Sequence, residues 1–416
     1  MPNLPPVKRR NPRERWRAIG TVGLVRIRYV LFNAYAMGGT VRTVINQANA
    51  LCADHDVEIA SVYRHTDQPS FAIDPRVKLV PLTDLRSDGN RTDLSAGRRL
   101  MKKTRRFRNR LPHRHDWRFR RWDPVVDLAI IRYLRARETG VLVTTRPGLN
   151  LLSARFAPRR LIRVAQDHMN LGSYKPRLRQ MIIREYPRLD AVTVLTRRDL
   201  ADYEQALAGT GVRLARIPNG VPAPVLPPAP LASNVLIAAG WLAPQKGFDL
   251  LLDAFRLVAD RHPDWQLWIF GSGPQRAALT AQITRLELTG RAHLLGQTAE
   301  LDERLRDAAI FVLSSRHEGL PMVLLEATAA GLPAVAFDCP TGPADVVHHG
   351  TSGLLIPPED VPALAAGICE LIEDRARLRA MGAAAVKESE PYLISTVRRD
   401  WERLFTDLVA TRAGSS

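Results

Sequence analysis

The stretch Ser315-Arg316-His317-Glu318-Gly319-Leu320-Pro321-Met322-Val323-Leu324-Leu325-Glu326 puts two carboxylates, a glycine and a helix start into twelve residues. Upstream, Ile310-Phe311-Val312-Leu313 is an apolar run closed by Ser314 and Ser315, short enough to be a buried strand. Downstream, Pro321 suits the first helical position, where a missing N–H costs nothing, and Leu324, Leu325 and Thr328 continue at helical spacing. Glu318 and Gly319 therefore belong to a strand-to-helix loop. In an open α/β sheet such loops lie at the carboxyl ends of the strands, where ligands bind, and the unpaired N–H groups of the helix start attract a phosphate. Glu326 falls about two turns in and does not reach the same atom as Glu318. Two separated carboxylates beside an anion site suit a ligand with hydroxyls on both sides of a diphosphate. The simpler alternative is that Glu318 caps the helix and Glu326 is solvated.

The surroundings repeat the pattern. Val235 to Ala239 is a strand running into Gly240-Trp241-Leu242-Ala243-Pro244-Gln245-Lys246-Gly247, with a helix from about Asp249; Lys246 at that loop tip faces an anion at the sheet's carboxyl edge. Trp265 to Phe270 is followed by Gly271-Ser272-Gly273-Pro274, whose glycines suit close approach of a ligand. Ala292 to Leu295 reaches Gly296, and Pro333 to Phe337 reaches Cys339-Pro340-Thr341-Gly342-Pro343. Five strand–loop–helix units in succession predict a doubly wound parallel sheet.

The first half of the chain reads the same way. Leu24 to Phe32 is a strand, Gly38-Gly39 lies in its loop, and a helix begins near Thr40 with Val41, Val44, Ile45, Ala48, Leu51 and Cys52 on one face. The glycine pair lets backbone N–H groups approach a phosphate, although a tight turn into the helix would also use it. Further strands are expected at 57–62, 141–145, 161–165, 191–196 and 213–217. Gln166-Asp167-His168-Met169-Asn170 follows the fourth of these six strands, making His168 a candidate site residue with Asp167 as companion. Asp54-His55-Asp56 has the form of a metal-binding D-x-D, but it lies between a helix end and the next strand, on the far edge of the sheet. No metal site and no cofactor are expected.

Gly240 to Gly247, Gly271 to Pro274, Glu318 to Glu326, and Thr341 to Asp345 followed by Gly350 to Pro358 together resemble the retaining glycosyltransferases of family 4, which have the GT-B fold. The resemblance implies α/β architecture with two Rossmann-like doubly wound domains facing a cleft. The corresponding division is a basic tail at 1–20, an acceptor-side domain at 21–217, a proline-rich linker at 218–233, a nucleotide-sugar domain at 234–390, and a helix at 391–411 returning to the first domain. By resemblance, Glu318, His168 and Lys246 carry the chemistry. Gly38, Gly39, Arg42, Gly271, Gly273, Gly319 and Leu320 border the donor with Lys246, Met322 and Val323 offer backbone N–H groups to its diphosphate, and Glu326 holds the ribose. The donor implied is a nucleotide-diphosphate sugar, UDP-sugar first. The acceptor is a lipid-linked glycan or a teichoic-acid-like polymer of the cell envelope. One residue departs from the pattern: the family usually has arginine where this chain has Trp241, so either Arg42 or Arg316 supplies the missing charge or turnover is weak.

Composition bounds the remaining classes. A chain of 416 residues exceeds one ordinary core, and no segment has the continuous apolar length of a membrane span or a signal peptide, so a cytoplasmic protein is expected. Cys52, Cys339 and Cys369 form no metal or disulfide pattern. Of the net charge of +18, residues 98–121 hold a net +11 and residues 1–17 a net +5. Leu100, Phe107, Leu111, Trp117, Phe119 and Trp122 interleave the first of these, so the insertion 98–121 is expected to hold the protein peripherally at an anionic inner-membrane face. Nucleic acid is the less favoured partner: it would explain the charge and leave the ordered motifs of the second half unexplained. A sugar-nucleotide epimerase of similar fold is the competing enzyme, distinguished by needing no acceptor.

Overall fold

A computed structural model describes residues 25–86, 111–116, 124–137 and 139–414. The tail 1–20 lies outside the described residues, as does most of the basic insertion.

The first sheet contains β1 (Arg26–Leu31), β2 (Asp56–Arg64), β3 (Lys78–Asp84), β4 (Val141–Thr144), β5 (Ile162–Gln166), β6 (Ala191–Val194) and β7 (Arg213–Arg216), in the order β3-β2-β1-β4-β5-β6-β7. The second contains β8 (Val235–Ala239), β9 (Gln266–Phe270), β10 (Ala292–Gly296), β11 (Ile310–Leu313), β12 (Ala334–Phe337) and β13 (Gly353–Ile356), in the order β10-β9-β8-β11-β12-β13. All pairings are parallel. The central strands read as continuous apolar runs because helices cover both faces: every residue of β4, β6, β8, β11 and β12 is buried. This is the α/β, twice doubly wound architecture that the sequence predicts.

Two strands escape the sequence reading. β3 contains Pro81 and survives because it is an edge strand, where a missing N–H faces no partner. β13 is four residues long on the opposite sheet's edge, and makes six strands where five units are expected. In each sheet the strand order reverses about one point, between β1 and β4 in the first and between β8 and β11 in the second. The loops after these strands therefore diverge and leave a crevice for a ligand.

The chain crosses between domains twice, and the crossings bind one another: Val221 N–H donates to Tyr392 O at 2.9 Å, and Ile394 N–H to Val221 O at 2.7 Å. The helix Ile394–Gly414 then buries Val397, Trp401, Leu404, Phe405 and Leu408 in the core beneath the first sheet, beside the helix Gly39–Leu51. Truncating Trp401 to Ala would cost about 3–5 kcal/mol.

Within the basic insertion 98–121, the described residues 111–116 pack into the first domain. Leu111, His113 and Asp116 are buried against the helices Pro124–Arg135 and Pro147–Phe156. His113 Nε2 meets Asp127 Oδ1 at 2.9 Å, and Asp116 Oδ2 accepts from Gly148 N at 3.0 Å. A net-charge count cannot see that these six residues carry the insertion's anchoring side chains.

Candidate active site

Glu318 projects from the loop after β11, and Lys246 from the short helical turn after β8, so the two flank the switch point of the second sheet. Lys246 Nζ donates to Glu318 Oε1 at 2.6 Å, and Ser315 Oγ donates to the same oxygen at 2.6 Å. Glu318 is buried, and its loop is fixed through Glu318 N–H to Pro340 O and Thr341 N–H to Glu318 O. Ser315 is a site residue that the motif reading passed over, although it stands three positions before Glu318.

The helix Met322–Ala329 starts at Pro321 without a side-chain cap, and the helix Gly39–Leu51 starts at Gly38 likewise without one. The first N–H groups of each have no intrahelical partner. The two starts converge from opposite domains: a Cβ on Gly39 would lie 3.7 Å from Met322 Cγ, while one on Gly38 would meet open space. Thr43 Oγ1 donates to Met322 Sδ at 3.3 Å across the same gap. Two positive helix ends thus point at one position.

Glu326 meets a residue of the opposite domain. Arg42 Nη1 lies 2.7 Å from Glu326 Oε1, off the hydrogen-bonding direction, so the pair is a charge contact without an aligned hydrogen bond. Arg42 also stands over the Phe71 ring at 5.7 Å. Burial pushes the Glu326 carboxyl up to about 7, partly offset by Arg42. Arg316 is committed elsewhere: its two terminal nitrogens reach Asp249 at 2.9 and 2.7 Å, and its Nε reaches Glu359 at 3.1 Å. It is therefore not free to stand in for the missing arginine, and Arg42 is itself held by Glu326. Trp241, at the family's arginine position, is 57% exposed on the loop after β8.

From the first domain, the loop after β5 brings His168 against the second. A Cβ on Gly319 would lie 2.3 Å from His168 O, so only glycine permits this approach. Burial, then the Arg146 charge, lower the imidazole to about 3, which keeps it neutral. Its Nε2 is buried, with no hydrogen-bond partner among the described residues. Asp167, next to it, is buried. Its carboxylate accepts from Tyr174 OH at 2.5 Å, Tyr186 OH at 3.1 Å and Tyr203 OH, a clamp that fixes the loop carrying His168. Arg146, at the end of β4, had no sequence signal beyond its place after a strand.

The remaining glycines serve loop packing. A Cβ on Gly271 would lie 1.8 Å from Gly240 O, one on Gly273 2.4 Å from Leu242 O, and one on Gly247, at φ +62°, 2.0 Å from Ser314 O. They let the loops after β8, β9 and β11 nest at the crevice. Leu320 is anchored across the domain boundary, its carbonyl accepting from Asn219 Nδ2 at 2.8 Å. Asp54 and Asp56 pair with Arg398 and Arg26 at the opposite edge of the first sheet.

Residues 227–388 match the family model described as Glycosyl transferases group 1. The chain is 36% identical over 401 residues to the exopolysaccharide phosphotransferase of Streptomyces coelicolor, covering 93% of this chain and 41% of that protein, so it spans less than half of that relative's length. It is 26% identical over 244 residues to the poly(glycerol-phosphate) alpha-glucosyltransferase of Bacillus subtilis, covering 58% of this chain and 35% of that one. The solved structure of TarM from S. aureus superposes with a TM-score of 0.73 over 92% of this chain and 100% of that chain, at 15% identity, a likeness of fold. Fold and likeness together define the architecture as GT-B: two parallel, doubly wound sheets with their crevices at the strand switch points.

Proposed function

We propose that this chain moves a sugar, with retention at its anomeric carbon, from a nucleotide-diphosphate sugar to a cell-envelope acceptor. The observation that carries the reading is the convergence of two uncapped helix starts from opposite domains, flanked by the pairs Lys246–Glu318 and Arg42–Glu326. A diphosphate at the gap would accept from the N–H groups of Gly39, Met322 and Val323. Glu326 would take the ribose hydroxyls, and Lys246 would turn to the departing phosphate as charge develops there. Glu318 would hold the donor sugar or the phosphate loop, with Ser315 steadying it. His168, being neutral, would bind sugar hydroxyls as a hydrogen-bonding group and carry no charge. Gly38, Gly271, Gly273, Gly319 and Leu320 would keep the loops close around the donor.

UDP-sugars are the donors to test first. The acceptor reading, a lipid-linked glycan or a teichoic-acid-like polymer, is supported by relatives whose names concern exopolysaccharide and poly(glycerol phosphate). Peripheral attachment to an anionic membrane face through the insertion 98–121, apart from its buried stretch 111–116, belongs to the same proposal. Among the described residues no helix is long and apolar enough to cross a membrane. Replacing 98–110 by a Gly/Ser linker should abolish sedimentation with phosphatidylglycerol vesicles and leave donor binding intact.

The deciding experiment is a thermal-shift screen with UDP-, GDP- and ADP-sugars, followed by transfer of label from the stabilising donor to poly(glycerol phosphate). Stabilisation by one nucleotide class and label on the polymer are expected. Free nucleotide produced equally without acceptor, or no stabilisation by any nucleotide sugar, refutes the proposal.

A further inference from the structure

The helix Pro176–Glu185 begins eight residues after His168 and carries a charge pattern that the donor site does not use. Leu178, Ile182 and Glu185 face the core, while Lys175, Arg177, Arg179, Arg184 and Arg188 are exposed. A solvated helix face ordinarily mixes both signs. Here the one carboxylate, Glu185, is buried, with its side chain 2% exposed. It gathers three guanidinium groups instead of neutralising the surface: Arg188 at 2.7 Å, Arg184 at 3.0 Å, and Arg155, from the helix Pro147–Phe156, at 3.9 Å. All three remain 42–64% exposed. Lys175 and Arg177 stand at the positive end of the helix, with no acidic residue in its first turn, a placement that the backbone dipole opposes.

Direction gives the pattern its meaning. β5 runs toward the cleft, and the helix returns from it, so Lys175 and Arg177 lie at the cleft edge and the Glu185 cluster about 15 Å back along the domain. The row is mainly arginine, whose planar fork matches phosphate oxygens. Its exposed apolar content is Ile183, at 38%, too little for a face that enters a bilayer.

We propose that Arg177 and Arg184, one above the other on the same flank of the helix, with Arg188 and Arg155 held by Glu185, form a track for a linear phosphodiester polymer whose reacting unit lies in the cleft. The inference rests on the acceptor reading above and narrows it to a polyanion. Glu185 is a positioning residue for the arginines.

The test compares the full chain with Arg177→Gln/Arg184→Gln, which leaves Leu178, Ile182 and Glu185 in the core; Arg179→Gln, on the opposite flank, serves as the control. Binding of long-chain poly(glycerol phosphate) should weaken about tenfold, and the slope of log affinity against log salt should become shallower by about 1.4, at roughly 0.7 per phosphate released. UDP binding should be unchanged, as should transfer to single glycerol phosphate. The double Lys variant, which keeps the charge, should restore the slope and so exclude loss of folding as the cause. Unchanged polymer affinity in the double Gln variant overturns the track. So does loss of binding to phosphatidylglycerol vesicles with polymer binding retained, which would make the face a membrane surface. If the wild type binds the polymer through these arginines and transfers no sugar from any nucleotide sugar, the track stands and the glycosyl-transfer reading falls.

Discussion

Glu326→Gln separates what this carboxylate costs the fold from what it does for a ligand. The group is 7% exposed, and burial raises its carboxyl from 4.5 to about 7 despite Arg42 at 2.7 Å. A carboxyl whose folded value lies above its unfolded one binds its proton more tightly in the folded state. Its favourable contribution is therefore whole below about pH 4.5 and is lost as the pH rises through about 7. A displacement of this size corresponds to on the order of 3 kcal/mol. Glutamine keeps the volume without the charge. Arg42 remains solvated at its edge and rests on Phe71, so losing its partner costs little. The variant should match the wild type near pH 5 and exceed its stability by roughly 1–3 kcal/mol near pH 8.5 in urea denaturation. Nucleotide binding should move the other way. Loss of a charge-assisted acceptor for the ribose should weaken UDP by about 1.5–3 kcal/mol in titration calorimetry. Wild-type affinity should also fall as the pH drops through about 7, a dependence absent from the variant. A Gln variant less stable than the wild type at pH 8.5, or one that binds UDP equally well, would refute the reasoning.

Lys246→Ala should lower turnover severely, while Trp241→Arg should raise donor affinity or rate by adding a cation at the exposed edge of the same loop; steady-state kinetics on both variants decide, and a folded but slower arginine variant would count against that role for the position. Gly319→Ala places a methyl group 2.3 Å from His168 O, so the domains must separate locally; transfer should fall while UDP binding to the second domain persists, and coupled kinetics beside calorimetry would show the split. Tyr203→Phe removes one of the three hydroxyls on buried Asp167 and should destabilise the first domain by about 1–3 kcal/mol in denaturation, with a smaller effect on UDP affinity.

The parts of this protein that the sequence determined are those whose signals lie within one strand–loop–helix unit. Strands β8 and β11 match their apolar runs residue for residue, the helix Gly39–Leu51 begins within a residue of its expected start, and Glu318, Lys246 and Gly38-Gly39 all stand in loops at carboxyl strand ends. Periodicity and turn chemistry are local, and in parallel sheets buried on both faces they are strong. Edge strands dilute them, which is why β3, with its proline, and the short β13 escape. What only the tertiary structure decided is which charges meet. Lys246 and Glu318 are 72 positions apart, and Arg42 and Glu326 belong to different domains. Arg316, a plausible donor-site cation from its position beside the motif, is drawn away by Asp249 and Glu359, and Asp167 is enclosed by three tyrosines that follow it in the chain. A buried charge takes the counter-ion or hydroxyl that packing brings to it, because its cost without a partner exceeds any local preference of the backbone around it.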